Sequence, residues 1–245
     1  MENSILLCGD CLELMSEIPD KSVDFIFVDP PFGTTRNAWD TAIPMEKLWP
    51  EYERVIKDNG CIAMWAQSPF DKTLACSNLK LYRYEWVVEK TSATGFLNAN
   101  KAPMKAHEQV LVFYKHLPTY NPQKTTGHPR KVSTAAHKRN SRKTDNYGDH
   151  GFTNYDSTER YPRDVLKFAW DKQKSKLHPT QKPVEACKYF ILTYTNPGDI
   201  VLDSCMGSGT TGVAALELGR KFIGIEKDPG IFKIAHDRIG GRQNA

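Results

Sequence analysis

DSCMGSGTTG, residues 203–212, stands near the C-terminal end of a 245-residue chain. It holds Gly207-x-Gly209-x-x-Gly212, a spacing that lets the backbone turn sharply between a strand and a helix and approach a nucleotide. Ile200-Val-Leu-Asp203 before it reads as a short buried strand, and Thr210 onward reads as a helix. The next apolar run, beginning at Phe222, ends in Glu226, where a carboxylate at a strand tip can accept from ribose hydroxyls. Strand, glycine loop, helix and acid together point to a nucleotide cofactor. Only 19 residues follow Glu226, which leaves no room for the second mononucleotide half of a NAD-dependent dehydrogenase.

Working outward, apolar runs of strand length fall at 5–8, 23–28, 61–65, 84–89, 110–114, 200–203 and 222–226. Helix-like stretches lie between many of them, at 11–18, 45–57, 70–76, 184–195, 209–218 and 231–239. Strands alternating with helices imply an α/β fold, a mainly parallel sheet covered on both faces. The runs at 84–89 and 110–114 lack a long helix between them, so one antiparallel strand is expected there.

Composition narrows the class. With 40% hydrophobic residues the chain suits one α/β domain carrying an insertion. No apolar run approaches the ~20 residues of a membrane helix, and the run at 4–8 is too short for a signal sequence. A cytoplasmic protein without a membrane partner is expected. The six cysteines lack the density of a disulfide scaffold, and Cys8-x-x-Cys11 has no second ligand pair to complete a zinc site. Reduced, mostly packed cysteines and no metal are expected.

The second informative stretch is VDFIFVDPPFG, residues 23–33, a hydrophobic strand running into Asp29-Pro30-Pro31-Phe32. Two prolines fix φ and withdraw two backbone donors, so the turn is stiff. It holds a carboxylate, an unpaired carbonyl and an aromatic face side by side. Those groups match an exocyclic amine on a flat ring: two acceptors for two N–H bonds, and a stacking surface.

Asp-Pro-Pro-Phe together with DSCMGSGTT resembles the amino-group DNA methyltransferases, which methylate adenine N6 or cytosine N4 with S-adenosyl-L-methionine. The target-amine motif precedes the cofactor loop, an order similar to their permuted β group. The resemblance implies a Rossmann-like methyltransferase fold, a seven-stranded sheet with one antiparallel strand in circularly permuted order. It implies a prokaryotic or phage origin, DNA as partner, and leaves room for a homodimer and a restriction endonuclease partner. It assigns Asp29, Pro30, Pro31 and Phe32 to the target amine of a flipped base. Asp10 matches the acid that receives the cofactor's adenine amine. His178-Pro-Thr180-Gln-Lys182-Pro183 matches the segment preceding the cofactor strand, with Lys182 meeting the methionine carboxylate. Asp203, Ser204, Cys205, Gly207, Ser208, Gly209, Thr210 and Glu226 complete the cofactor set. Lys105-Ala-His-Glu108 also fits the family, with His107 in a structural hydrogen-bonding role rather than as a base. The family commonly has Asp-Pro-Phe where this chain has Asp203-Ser-Cys205. Adenine N6 is the expected target atom, because in the family an Asp at the head of the turn goes mostly with adenine and a Ser with cytosine. The alternatives are N4-cytosine methylation, methylation of RNA or of a protein glutamine, a dehydrogenase, and a DNA-binding module with an inert loop.

Residues 115–176 break the alternation of elements. They are polar and carry 14 Lys/Arg against 6 Asp/Glu, a balance of +8. The rest of the chain carries −4. A local excess of this kind is a footprint for phosphate backbone. The expected organisation is therefore a catalytic part over 1–114, an inserted target-recognition region over 115–176 and a cofactor-binding part over 177–245. Arg139, Arg142 and Lys143 are the expected phosphate contacts, and Tyr120, Tyr147, Phe152, Tyr155 and Tyr161 the expected stacking residues.

Overall fold

Val23-Asp-Phe-Ile-Phe-Val28 carries apolar side chains on both faces, the pattern of a strand covered on two sides, and every one except Asp24 is buried. It forms the second strand of a computed structural model that describes residues 3–33, 41–133, 155–169 and 181–240, with backbone alone at 143–144 and 148–149. The chain begins β1 (Ser4–Cys8), α1 (Cys11–Leu14), β2 (Val23–Val28), α2 (Met45–Val55), β3 (Ile56–Ala66) and α3 (Phe70–Ser77). A long hairpin follows, β4 (Tyr82–Thr94) and β5 (Lys105–Phe113). Four two-residue strands come next: β6 (Lys131–Val132), β7 (Lys143–Thr144), β8 (Gly148–Asp149) and β9 (Asp156–Ser157). Then come β10 (Val165–Phe168), α4 (Val184–Tyr194), β11 (Ile200–Asp203), α5 (Thr210–Glu217), β12 (Lys221–Glu226) and α6 (Pro229–Gly240).

Among the described residues, eight strands form one sheet in the order β1-β12-β11-β2-β3-β5-β4-β10. β5 is the antiparallel strand, running against both β3 and β4, and the other neighbours pair in parallel. The antiparallel strand falls where the missing crossover helix predicts it, since a short connection can join only antiparallel strands. The eighth strand, β10, adds to the edge through Val165↔Val87 to Phe168↔Lys90. It spans four residues of alternating exposed and half-buried side chains, too short and too polar in context to stand out in the sequence.

Alternation along β2 divides the core. Ile26 and Val28 face Trp49 and Tyr52 of α2, whereas Phe25 and Phe27 face Phe190 of α4 and Ala214 of α5. The last strands in the chain occupy the middle of the sheet: β11 pairs with β2 through Leu202↔Ile26 and with β12 through Leu202↔Ile223. The glycine loop thus comes late in the sequence while leaving the sheet beside Asp29.

Residues Pro122–Arg163 make a separate compact unit. Within it β6 pairs antiparallel with β9, and Arg130 grips both Asp156 oxygens at 2.7 and 2.6 Å. Residues 115–121 and β10 belong to the sheet unit, where Asn121 Nδ2 donates to the Leu192 and Thr195 carbonyls at 3.1 and 3.0 Å.

Candidate active site

β1, β12, β11 and β2 are parallel neighbours, so their carboxyl ends share one edge, the edge where open α/β sheets bind ligands. Each delivers an acid there, and the order along the edge is Asp10, Glu226, Asp203, Asp29. The chemistry differs along the row because the partners differ.

Asp10 caps α1, accepting from the Leu12 N–H at 3.0 Å, and its other oxygen accepts from Lys227 Nζ at 2.9 Å. The Lys227 bond, aided by Leu12, holds its carboxyl below the usual aspartate value. Glu226 accepts from the Gly207 N–H at 3.0 Å on one oxygen and from the Asp228 N–H at 2.8 Å on the other. Each oxygen retains a lone pair for a ligand. Asp203 is buried at the loop's entrance and accepts from the Cys205 N–H at 3.1 Å. Burial pushes its carboxyl up to about 7, against hydrogen bonds from Thr211 and Cys205, and the charges of Asp29 and Glu226 add to the rise.

The glycine loop is fixed by its own backbone and by α6. Gly207 has φ +53°, and a Cβ there would meet nothing within 4 Å, so this glycine serves conformation and open space. Gly212 serves close packing: a Cβ would lie 2.6 Å from Phe222 Cε1. Arg238 of α6 donates to the Ser208 carbonyl and to Thr210 Oγ1, each at 3.0 Å, a clamp absent from the sequence reading. Ser204 Oγ bonds the Tyr52 hydroxyl at 2.6 Å, tying the end of β11 to α2. Cys205 lies half-buried, and its free thiol shares a hydrogen bond with the free thiol of Cys11.

At the other end of the row, Lys182 Nζ lies 3.1 Å from Asp29 Oδ1 and 2.7 Å from Glu108 Oε2. Glu108 Oε1 in turn lies 2.8 Å from Lys90 Nζ. The Lys182 ammonium also sits 4.9 Å from the Trp65 ring centroid and 5.7 Å from that of Phe32. Burial works against this charge, but Asp29 and Glu108 outweigh it and the ammonium stays above the ordinary lysine value. Phe32 stacks on Phe70 with centroids 5.0 Å apart and planes at 24°. An acceptor carboxylate, an aromatic shelf and a locked ammonium therefore stand beside a glycine loop and its acids.

The DNA methylase family matches this chain over residues 23–237. The chain belongs to that family. It is 29% identical to the DNA adenine methyltransferase YhdJ of Escherichia coli (strain K12), over 97% of this chain and 83% of that protein. Among solved structures it superposes on the M1.HpyAVI–SAM complex with a TM-score of 0.66 at 24% identity, covering 96% of this chain and 98% of the other. It superposes on the cytosine-N4-specific PvuII DNA methyltransferase with a TM-score of 0.69 at 18% identity, covering 97% and 86%. These likenesses show the methyltransferase fold, and family membership makes the chain a DNA amino-methyltransferase rather than a dehydrogenase.

The structure gathers Asp29, Pro30, Pro31, Phe32, Lys182, Asp203, Ser204, Cys205, Gly207, Ser208, Gly209, Thr210, Glu226 and Asp10 along this sheet edge. Thr180, Arg139 and Arg142 lie outside the described residues, as do Tyr147, Phe152 and the side chain of Lys143. His107 is exposed, with Nε2 at 3.4 Å from Gln109 Nε2. Tyr161 is exposed beneath Lys124, 4.9 Å from the ring centroid, whereas the Tyr155 hydroxyl donates to the Glu159 carbonyl. Cys11, Cys61 and Cys187 are buried and Cys8 and Cys76 exposed. Among the described residues no helix is long and apolar enough to cross a membrane.

Lys90, like Arg238, has no place in the sequence reading of the site, and Glu108 enters it only as the end of Lys105-Ala-His-Glu108, with no role of its own. For these two strand residues the signal is period two: Lys90 shares a strand face with Trp86 and Val88, and Glu108 with Val110 and Val112, all of them buried.

Proposed function

We propose that this methyltransferase transfers a methyl group from S-adenosyl-L-methionine to the exocyclic N6 of an adenine flipped out of a specific DNA sequence. The observation that carries the proposal is the Asp29 carboxylate, held by Lys182 at one end of a row of acids whose other end is Glu226 and Asp10. When bound, the cofactor supplies an electrophilic methyl group on a sulfonium sulfur. The residues present suit it: Glu226 can accept from ribose hydroxyls, Asp10 from an adenine amine, and the turn at Gly207 leaves open space where a side chain would intrude. Asp203, Ser204, Cys205, Ser208, Gly209 and Thr210 line the loop, and Thr180 comes from the segment before α4, whereas the Lys182 ammonium is engaged by Asp29 and Glu108 at the target end rather than held for the methionine carboxylate.

The protein's task at the other end is to make a poor nucleophile attack. An aryl amine's lone pair is delocalised into its ring. Asp29 and the Pro30 carbonyl accept its two N–H bonds and turn the lone pair out of conjugation. Asp29 Oδ or water then takes the proton released from nitrogen. The contribution is mainly positioning and electrostatics. Extracting the base from a duplex costs a few kcal/mol, and stacking on Phe32 returns roughly 1–3 kcal/mol.

The order of motifs in the chain supports the permuted β group. Residues 115–176 are proposed as the target-recognition region, with Arg139, Arg142 and Lys143 on phosphates. The choice of adenine is supported by the Asp at the head of the turn and by the likeness to YhdJ, named an adenine enzyme. The PvuII enzyme, named for cytosine N4, shares the fold, so N4-methylcytosine is the competing product. Nuclease digestion of DNA methylated by this protein, followed by mass spectrometry, tests the reading. N6-methyladenine is expected, and N4-methylcytosine in its place overturns it.

A further inference from the structure

Beyond the residues already assigned to target and cofactor, two charged side chains sit deep beneath the site. Lys90 and Glu108 are each about nine-tenths buried, and they lie on adjacent strands where Val88 pairs with Glu108. They continue inward from Asp29 as an alternating chain: Asp29, Lys182, Glu108, Lys90. Both Glu108 oxygens are engaged, one by each lysine, at 2.7 and 2.8 Å.

We propose that Glu108 and Lys90 are positioning residues, a buried relay that fixes Lys182 against Asp29 and thereby aims the acceptor of the target amine. The relay rests on the reading of Asp29 given above. A lone lysine beside a half-exposed carboxylate has several rotamers and can follow it outward. Here Lys182 is stopped on three sides: by Glu108 below, and by the rings of Trp65 and Phe32 at 4.9 and 5.7 Å. Glu108 cannot swing, because its second oxygen belongs to Lys90. The four charges cancel, which lets the chain stay ionised in an interior that penalises an unpaired charge. Its single outlet is Asp29, whose side chain is 30% exposed while the other three are 10% exposed or less. If the ion pairs served packing alone, they would not need to end on the reacting carboxylate.

Removing the Glu108 charge leaves Lys182 with Asp29 as its one carboxylate partner among the described residues and lets both drift. A misplacement of about 1 Å costs on the order of 10²-fold in rate. Single-turnover methylation by Glu108→Gln is expected to slow by roughly 10- to 100-fold, with the dissociation constant for S-adenosylmethionine and the KM for DNA both within about threefold of wild type. Lys90→Met should slow turnover similarly, and Lys90→Arg, which keeps the charge, should restore most of it. The double variant Lys90→Met/Glu108→Gln removes both charges, so a folded protein is expected even where a single change destabilises, and it should remain slow. Melting curves accompany each variant. Turnover within threefold of wild type in folded Glu108→Gln would overturn the relay, as would equal losses in Lys90→Arg and Lys90→Met, or cofactor affinity falling in step with rate. Asp29→Ala serves as the reference: if it retains turnover, the reading beneath the relay falls as well, whereas an inactive Asp29→Ala beside an active Glu108→Gln sinks the relay alone.

Discussion

The Gly207 N–H donates to Glu226 Oε2 at 3.0 Å, so the glycine loop and the acid of the following strand hold each other in place. Glu226→Ala therefore removes a ligand acceptor and loosens the loop at once. Hydrogen bonds to charged groups contribute about 1.5–3 kcal/mol, so the dissociation constant for S-adenosylmethionine should rise by about tenfold or more. Isothermal titration checks this, and unchanged affinity in a folded variant removes Glu226 from the cofactor site.

Asp29→Ala should separate chemistry from cofactor binding. Asp29 follows β2, whereas Glu226 and Asp10 stand two and three strands away along the edge. Loss of a positioned catalytic group costs typically about 10²–10⁴-fold. Methyl transfer is expected to fall by that factor while cofactor affinity changes little, measured by tritium incorporation and titration on one preparation. Near-normal turnover contradicts the assignment.

Much of this site is legible in the sequence because strand ends are. The apolar runs at 23–28 and 200–203 predict β2 and β11 to the residue, and those boundaries place Asp29 and Asp203 at the sheet's edge. The ion-pair chain is legible only in part. A Lys and a Glu inside strands read as solvent-facing by residue type, and only their register with Val88 and Val110 reveals a buried face. Which buried charges meet depends on strand order, and β5 enters between β3 and β4 against the chain's direction. The partner of Lys182 is a fact of topology.

Asp203 should mark stability with a pH signature. Its carboxyl lies at about 7 in the native protein because it is buried, whereas an unfolded aspartate lies near ~3.9. Between roughly pH 4 and 7 the unfolded chain has released this proton and the native state retains it. This group's contribution to stability is thus fully present at low pH, is lost as pH rises through that window, and is level above it. Asp203→Asn keeps an acceptor for the Cys205 N–H and removes the titration. The melting temperature of the variant relative to wild type should climb from pH 4 to 7, by at least about 2 °C, and then plateau. A difference independent of pH contradicts the burial argument.

The last prediction concerns the basic stretch. Residues 115–176 hold a balance of +8 in a chain whose remainder is at −4, yet several of these charges are already spent. Arg130 is paired with Asp156 and Lys124 with Glu159, which leaves less of the surplus for phosphate than the count alone implies. Arg139, Arg142 and Lys143 come within five residues of sequence without an acid between them. Each phosphate neutralised in duplex DNA releases condensed counterions and adds about 0.9 to the slope of log affinity against log salt. Replacing all three by Gln should weaken binding across all DNA sequences and flatten that slope by roughly two to three. Loss restricted to one DNA sequence would instead assign them to base edges, where a bidentate contact discriminates by about 1–3 kcal/mol. Fluorescence anisotropy over a salt series, with specific and scrambled duplexes, separates the two, and an unchanged affinity and slope would remove all three from the DNA interface.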